Sequence, residues 1–310
     1  MERLTLDEPL PERLRAGVVA LGNFDGFHLG HQAVVNRAVA RGHHERRPVI
    51  VATFDPHPVR LFKPDVPPFK LTSLDQRQRL FAHAGADAML VFRFDKELAS
   101  TTAEEFVAGL LGDRIGAAAV VTGDDFTFGK GRGGNVETLK SLGLRSGIAA
   151  EAIAPVLLDG QRISSGRVRE ALEAGDPGCA TRLLSRPFAV EATVERGDGR
   201  GHELGCPTAN VRLGEYQRPA YGIYAVHVRL DDDREYPGVA SLGVRPTFEP
   251  PEELLEANLF GFDGDLYGRT IEIALHAYIR PERKFDDLPA LAAQMQEDAA
   301  EARKLLALPQ

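Results

Sequence analysis

The sequence predicts an α/β protein with two domains: a doubly wound N-terminal domain and a small antiparallel β-barrel that ends in a C-terminal helix. The chain has 310 residues, enough for about two ordinary domains. Up to residue 185, short apolar runs alternate with longer helical stretches, a pattern typical of a parallel sheet covered on both faces. From Phe188 onward, alternating strand-like runs separated by turn residues indicate an antiparallel barrel.

The predicted strands of the first domain are its apolar runs, residues 17–22, 48–54, 88–92 and 117–121. A helical pattern over residues 29–41 separates the first two strands, and two short helices follow Arg167. The first of these ends at the stop signal Gly175-Asp176-Pro177 and the second at about Ser185. Because Arg186-Pro187 interrupts the pattern, the predicted domains are residues 1–185 and 187–310.

The second domain is predicted from strands at residues 224–230, 236–242 and 271–275 and from an amphipathic helix at residues 288–306. One face of that helix carries Leu288, Leu291, Met295 and Leu305. Three aspartates, residues 231–233, lie between the first two strands. We interpret them as a solvated hairpin tip rather than a metal site, because aspartate is favoured in turns.

The composition favours a cytoplasmic protein over a nucleic-acid or membrane protein. The formal net charge is −8, whereas nucleic-acid binders carry a basic surface. The sequence has no apolar run of the roughly 18 residues that a membrane span needs, and its first residues form no apolar signal core. Cys179 and Cys206 fit no metal-ligand spacing, so we expect two free thiols.

A glycine-rich stretch, residues 22–31, follows the first predicted strand and begins the first predicted helix. Within it, His28 and His31 are three positions apart, so both imidazoles lie on the same face of the first helical turn. A helix N-terminus offers free N–H groups and the positive end of its dipole, which suit an anion. We therefore predict a site where a nucleoside triphosphate reacts at its α-phosphorus. The alternative is a pair of structural histidines.

The sequence His28-Leu29-Gly30-His31 after a first strand resembles the nucleotidyltransferase superfamily, whose domains are Rossmann-like. A second signature of that superfamily, Ile-Ser-Ser-Thr-x-x-Arg, matches residues 163–169, with Gly166 in place of threonine. Residues 53–58 and 123–134 resemble the FMN adenylyltransferase module of prokaryotic bifunctional riboflavin kinase/FAD synthetases. The resemblance implies that the flavin is bound by His57, and that the nucleotide is bound by Asn23, His28, His31, Asp125, Ser164, Ser165 and Arg169.

The second half of the chain carries a different glycine-rich stretch. No Gly-x-x-x-x-Gly-Lys-Ser/Thr motif occurs, so a Walker-type phosphate loop is excluded. Instead, a turn with Gly197, Gly199 and Gly201 precedes two neutral oxygen donors, Thr208 and Asn210. Glycine N–H groups can bind phosphates, and neutral oxygens together with ATP phosphates are suitable ligands for Mg²⁺. The residues alone leave a glycine-rich surface turn equally open.

Pro-Thr-Ala-Asn at residues 207–210 resembles the signature of riboflavin kinases, and further stretches match in family order at 222–225, 243–247, 265–268 and 280–285. The resemblance implies that Glu256 is the base that activates the acceptor hydroxyl and that Tyr267 lies at ATP. It places the flavin at Arg280, Arg283 and Phe285. Without the resemblance, a strand glutamate is more often a surface residue. Four positions depart from the family pattern, with expected effects on ATP affinity or acceptor choice: His202, Ser241, Asn258 and Gly261.

The predicted function is therefore the phosphorylation of riboflavin by Mg·ATP to FMN, followed by the adenylylation of FMN by ATP to FAD and pyrophosphate. Two alternatives stay open. One retains only the adenylyl transfer, with a weakened or altered kinase domain, and the other is a catalytically inactive flavin-binding regulatory protein. The products formed from riboflavin and MgATP distinguish the three.

Overall fold

The structure is a computed structural model that describes residues 1–195, 208–245, 252–285 and 287–308. By its contacts the chain divides into two compact units: residues 1–67 with 74–164, and residues 68–73 with 165–310. This division assigns the two helices that precede Arg186 to the second unit. The boundary predicted at Arg186 from the sequence pattern stays a prediction.

A six-stranded parallel sheet forms the centre of the first unit, in the order β1-β4-β3-β2-β5-β6. Its strands are β1 (Glu2–Leu4), β2 (Val18–Leu21), β3 (Val49–Asp55), β4 (Ala88–Arg93), β5 (Ala119–Gly123) and β6 (Ala149–Ile153). The central strand β2 is buried along its whole length, as expected for a parallel strand that is apolar on both faces. Alternate residues enter two apolar clusters, so Val19 and Ile50 belong to one and Val18 and Val51 to the other.

The helical segments of the first unit are α1 (Leu29–Glu45), α2 (Pro58–Phe62), α3 (Leu74–His83), α4 (Lys96–Ser100), a wider π-type helix (Glu105–Ile115) and α5 (Val136–Arg145). A small hairpin of β7 (Leu157–Leu158) and β8 (Gln161–Arg162) precedes the end of the unit. Side chains of α1 and of the π-type helix enter different apolar clusters, which confirms the predicted doubly wound α/β fold.

The two short helices that the sequence predicts after Arg167 are α6 (Ser165–Glu173) and α7 (Pro177–Leu184), and the contacts assign them to the second unit. Its six strands are β9 (Phe188–Thr193), β10 (Ala209–Val211), β11 (Gly222–Leu230), β12 (Glu235–Arg245), β13 (Glu252–Leu259) and β14 (Thr270–Arg280). They pair antiparallel in the order β10-β13-β12-β11-β14-β9. The N–H of Glu195, just after β9, donates to the Asn210 carbonyl in β10 at 2.8 Å, which joins the two ends of the sheet. The predicted β-barrel is therefore confirmed.

The C-terminal helix α8 (Leu288–Leu305) packs across β11, β12 and β14. Its contact face differs from the prediction, because Leu305 is 45% exposed and small residues lie against the sheet instead. Ala299, Ala302 and Leu306 follow helical spacing and meet Ala225 and Ile279. Alanines allow close approach of a helix to a sheet, and the prediction fails at Leu305 while Leu291 and Met295 are half-buried. In the described residues, no helix combines the length and apolar character needed to cross a bilayer.

Candidate active sites

Two imidazoles stack at the start of α1. His28 is the N-cap residue, and its Nδ1 accepts a hydrogen bond from the backbone N–H of His31 at 3.3 Å. The two rings lie almost parallel, with centroids 3.6 Å apart and planes 16° apart. Because Nδ1 of His28 accepts a hydrogen bond, the neutral ring carries its proton on Nε2 and can donate from that atom. The cap thus orients an imidazole donor beside the helix N-terminus.

Gly30 is required by the position of the His28 ring. A Cβ atom at residue 30 would lie 3.1 Å from Cε1 and 3.2 Å from Nδ1 of His28, closer than ordinary van der Waals contact. The carbonyl oxygen of Ile163 lies 3.7 Å from the same point. The residue before Ser164 therefore lies close to the start of α1.

The loop after β2 is held by a buried arginine that the sequence analysis did not identify. Arg77, on α3, is only 3% exposed. Its Nη1 donates to the Asn23 carbonyl at 3.3 Å and to Thr53 Oγ1 at 3.0 Å, and Thr53 Oγ1 donates to the same carbonyl at 2.7 Å. The side-chain Oδ1 of Asn23 is buried and has no hydrogen-bond partner among the described residues. A buried acceptor of this kind fits the predicted ligand contact of Asn23.

Two other predicted residues of the first unit lie at strand ends. Asp125 follows β5, is 69% exposed at its side chain, and forms an ion pair of 3.0 Å with Arg162, which also binds Asp124. His57 caps α2, with its Nδ1 accepting from the N–H of Val59 at 3.2 Å. Both residues therefore follow carboxyl ends of the parallel strands, the edge at which such sheets bind ligands.

Ser165 and Arg169 belong to the second compact unit, where Ser165 begins α6. Arg169 Nε donates to the Phe69 carbonyl at 2.8 Å, and its guanidinium lies 5.1 Å from the centroid of the Phe69 ring. These contacts fix the direction of the Arg169 side chain. The phosphate-binding roles of Ser165 and Arg169 stay predictions.

A continuous row of register partners crosses five strands of the barrel. Asn210 pairs with Glu256, and Glu256 pairs with Ser241. Ser241 in turn pairs with Ile223, and Ile223 with Arg280. Directly paired residues of antiparallel strands point to the same face. This cross-strand row therefore aligns three predicted site residues, Asn210, Glu256 and Arg280, over roughly 19 Å at about 4.8 Å per strand.

By strand alternation the cross-strand row faces away from the barrel interior, with Ser241, Glu256 and Arg280 half-buried and Asn210 and Ile223 buried. The next residues along the same strands, such as Tyr224, Ala257 and Val211, are buried and fill the barrel interior. Thr208, two residues before Asn210, falls on the same side by the alternation of extended backbone. The predicted metal ligands and the predicted base are thus neighbours on one surface.

Tyr267 lies at the Asn210 end of the row. The next residue, Gly268, donates its N–H to the Val194 carbonyl at 3.0 Å, and the adjacent Glu195 donates to Asn210. Gly197, Gly199 and Gly201, the predicted phosphate-binding glycines, lie outside the described residues.

The opposite end of the row carries the predicted flavin residues. Arg280 makes a two-pronged ion pair with Asp298 of α8, with Nε to Oδ1 at 2.8 Å and Nη2 to Oδ2 at 2.6 Å. The guanidinium of Arg283 lies 4.8 Å, and that of Arg280 6.0 Å, from the centroid of the Phe285 ring. The structure therefore brings all three predicted residues together.

A further histidine pair lies on the barrel, away from the row. His227 Nδ1 and His276 Nε2 are 2.9 Å apart. Burial and the neighbouring His227 lower the pKa of His276 below its ordinary value, with a smaller opposing effect from Glu235. Protonation of the His276 ring is therefore disfavoured in the folded protein.

The capped imidazole pair of the doubly wound unit and the amide–carboxylate row of the barrel fit the class of enzymes that transfer phosphate groups at two sites. Comparisons with known proteins identify the two reactions. A family described as FAD synthetase matches residues 10–167, and a family described as riboflavin kinase matches residues 184–306. The bifunctional riboflavin kinase/FMN adenylyltransferase of Escherichia coli (strain K12) is 38% identical, over 94% of this chain and 93% of its own length.

Two further proteins match this chain over nearly its whole length. The bifunctional riboflavin kinase/FMN adenylyltransferase of Pseudomonas fluorescens is 40% identical, over 94% of each chain. A crystal structure from Streptococcus pneumoniae, described as a macrolide-efflux protein, is 30% identical with a TM-score of 0.86 and covers 97% of this chain and 98% of its own. The chain belongs to the bifunctional riboflavin kinase/FMN adenylyltransferase family.

Proposed function

We propose that the two halves of the chain catalyse successive ATP-dependent steps at the two sites described above. The chain is a riboflavin kinase and an FMN adenylyltransferase, and its substrates are ATP, riboflavin and FMN. Because both family descriptions match, neither an enzyme with adenylyl transfer alone nor an inactive flavin-binding protein is favoured. The residue assignments that follow are proposals, and a cytoplasmic location also stays a prediction.

In the adenylyl transfer, a phosphate oxygen of FMN attacks the α-phosphorus of ATP, and the bond to pyrophosphate breaks. The attacking phosphate is already an anion, so the step needs positioning and charge stabilisation rather than a base. The single observation that carries this assignment is the stacked His28–His31 pair at the N-terminus of α1. His28 Nε2–H and the helix N-terminus stabilise the negative charge at the α-phosphate. Asn23, Asp125, Ser164, Ser165 and Arg169 would complete nucleotide binding, and His57 would contact the flavin.

In the kinase step, Glu256 accepts the proton of the terminal ribityl hydroxyl of riboflavin, whose oxygen attacks the γ-phosphorus of ATP and releases ADP. The observation that carries this assignment is the cross-strand row, which places Glu256 between Asn210 and Arg280. ATP would then lie at the Asn210 end, near Tyr267. Riboflavin would lie toward Arg283 and Phe285.

The oxygen donors at the Asn210 end fit a magnesium ion. Thr208 and Asn210 offer neutral oxygens on one side of an extended segment, and hard oxygen ligands are those that Mg²⁺ prefers when it also binds phosphates. When bound there, Mg²⁺ would neutralise charge on the ATP phosphates. The glycines at 197, 199 and 201 would add backbone N–H donors.

Two substitutions test whether the sites are separate. We expect His31→Ala to abolish FAD formation from supplied FMN while FMN formation from riboflavin continues, and Glu256→Ala to do the opposite. Both half-reactions are measured by chromatography of the flavin products. His44→Ala on the exposed side of α1 and Glu235→Gln outside the row are the matched controls. Equal loss of both activities in either variant would contradict two independent sites.

A further inference from the structure

The C-terminal helix buries two polar side chains on a face that is otherwise made of small apolar residues. Gln294 is 8% exposed and Asp298 is 5% exposed, and they are four residues apart on the same side of α8. Ala299 and Ala302 already provide the apolar contact with the sheet. Desolvating a carboxylate is unfavourable, so its burial here is not explained by packing of the helix.

These two side chains form a relay between two arginines. Gln294 Nε2 donates to Asp298 Oδ1 at 3.0 Å, and Arg283 donates to Gln294 Oε1. Asp298 in turn receives the two-pronged bond from Arg280. The order of contacts is therefore Arg283, Gln294, Asp298 and Arg280, with both guanidinium groups over the Phe285 ring.

The relay holds a short exposed segment, residues 281–285, which we name the acceptor loop. Arg280 Nη1 donates to the Pro281 carbonyl at 2.9 Å, so all three nitrogens of its guanidinium are used inside the protein. At the other side of the loop, Ser241 Oγ donates to Glu282 Oε1 at 3.4 Å, and the Glu282 carboxylate lies where a side chain at Gly243 would be. The acceptor loop is thus fixed to α8 and to the cross-strand row beside Glu256.

We propose that Asp298 and Gln294 are positioning residues of the riboflavin kinase reaction, which hold the acceptor loop so that Arg283 and Phe285 meet the flavin. On this view Arg280 acts through its bonds to Asp298 and Pro281 rather than by reaching the substrate. The proposal rests on the kinase site described above. It makes α8 a component of acceptor binding and gives the helix a role in specificity.

The test uses the full chain and compares Asp298→Asn with Glu301→Gln. Glu301 lies on the same helix, but its side chain is 42% exposed and pairs with a solvent-facing lysine, Lys304, at 3.1 Å. For Asp298→Asn we expect the KM for riboflavin to rise about 10-fold, with kcat changed less than about 2-fold, because a misplaced loop weakens acceptor binding before it affects phosphoryl transfer. Adenylylation of supplied FMN should be unchanged in both variants, and Glu301→Gln should match the wild type.

A double-mutant cycle separates positioning from mere stability. In an Arg280→Gln background, Asp298→Asn should add almost nothing to the KM for riboflavin, since its partner is already gone. Gln294→Met leaves the Arg280–Asp298 pair intact and should raise the same KM about 3-fold by releasing Arg283. If Asp298→Asn lowers the melting temperature but leaves the KM for riboflavin unchanged, the proposal is wrong. The same holds if the two effects simply add in the cycle.

The outcome also separates this proposal from the kinase assignment itself. If Glu256→Ala retains FMN formation, the assignment of the row as the kinase site is wrong, whatever Asp298 does. If Glu256→Ala is inactive and Arg283→Ala raises the KM for riboflavin, but neither Asp298→Asn nor Gln294→Met does, then only the role of α8 is overturned.

Discussion

The two candidate sites differ in how the protein holds them. The histidine pair lies at a single chain turn, where a cap bond joins His31 to His28 and Gly30 leaves room for the His28 ring. The barrel site is spread over five strands and depends on their register. A site of the first kind tolerates little local change because neighbouring atoms are already in contact, whereas the second can absorb local change as long as pairing persists.

The largest expected effect comes from adding one carbon atom to the first site. Gly30→Ala places a Cβ against the His28 ring, so we expect FAD formation from FMN to fall about 100-fold through displacement of that imidazole. FMN formation should be unchanged. Steady-state rates of the two half-reactions measure this, and Gly109→Ala, where a Cβ would meet nothing within 4 Å, is the control. A normal rate of FAD formation in Gly30→Ala would show that His28 does not need its observed position.

A corresponding change in the barrel should reduce enzyme activity by a smaller factor. Gly243→Ala puts a Cβ at the place of the Glu282 carboxylate, so the acceptor loop must shift while the strand pairing of β12 is kept. We expect kcat/KM for riboflavin to fall about 10-fold and FAD formation from FMN to be unaffected. A loss as large as that of Gly30→Ala would contradict the contrast between a local site and a site built by register.

The smallest expected effect concerns the His227–His276 pair of the barrel. The pKa of His276 is lowered in the folded protein, so protonation favours the unfolded state and stability is lost as the pH falls through the unfolded value of about 6.5. We expect His276→Gln to reduce the drop in Tm between pH 8 and pH 5.5 by roughly 2 °C. His43→Gln, in the last turn of α1, is the control. Differential scanning calorimetry at several pH values measures the dependence of Tm on pH. If this dependence is the same in His276→Gln as in the wild type, the expectation is wrong.

The site that lies within one turn could be predicted from the sequence, whereas the site assembled from several strands could not. The His28–Gly30–His31 turn is local, so its spacing was sufficient to predict two imidazoles beside a helix N-terminus. The strands β2 to β5 of the first unit were predicted because their runs are mostly apolar, whereas the edge strands β1 and β6 were not predicted. Glu256 was assigned only through resemblance, since nothing in a single strand reveals which residue lies opposite it in the next.

Arg77, Gln294 and Asp298 were not predicted for a related reason. Each is a polar residue within an amphipathic helix, and its burial depends on partners far along the chain, such as Asn23 for Arg77 and Arg280 for Asp298. The helical pattern of α8 predicted a leucine face and so misplaced Leu305, because it carries no information about a buried ion pair. Polar residues at core-facing positions of a helical wheel are the signal that could have identified all three.

The outward position of the cross-strand row has an evolutionary consequence. The residues that flank Ser241 and Glu256 along their strands, such as Leu242 and Ala257, belong to the hydrophobic interior, and the proposed site residues lie between them. Selection can therefore alter acceptor preference at positions such as Ser241 or Asn258 without emptying the core that keeps the barrel folded. On the proposed assignment, the barrel is in this sense a scaffold on which new substrate preferences can arise at little risk to the fold.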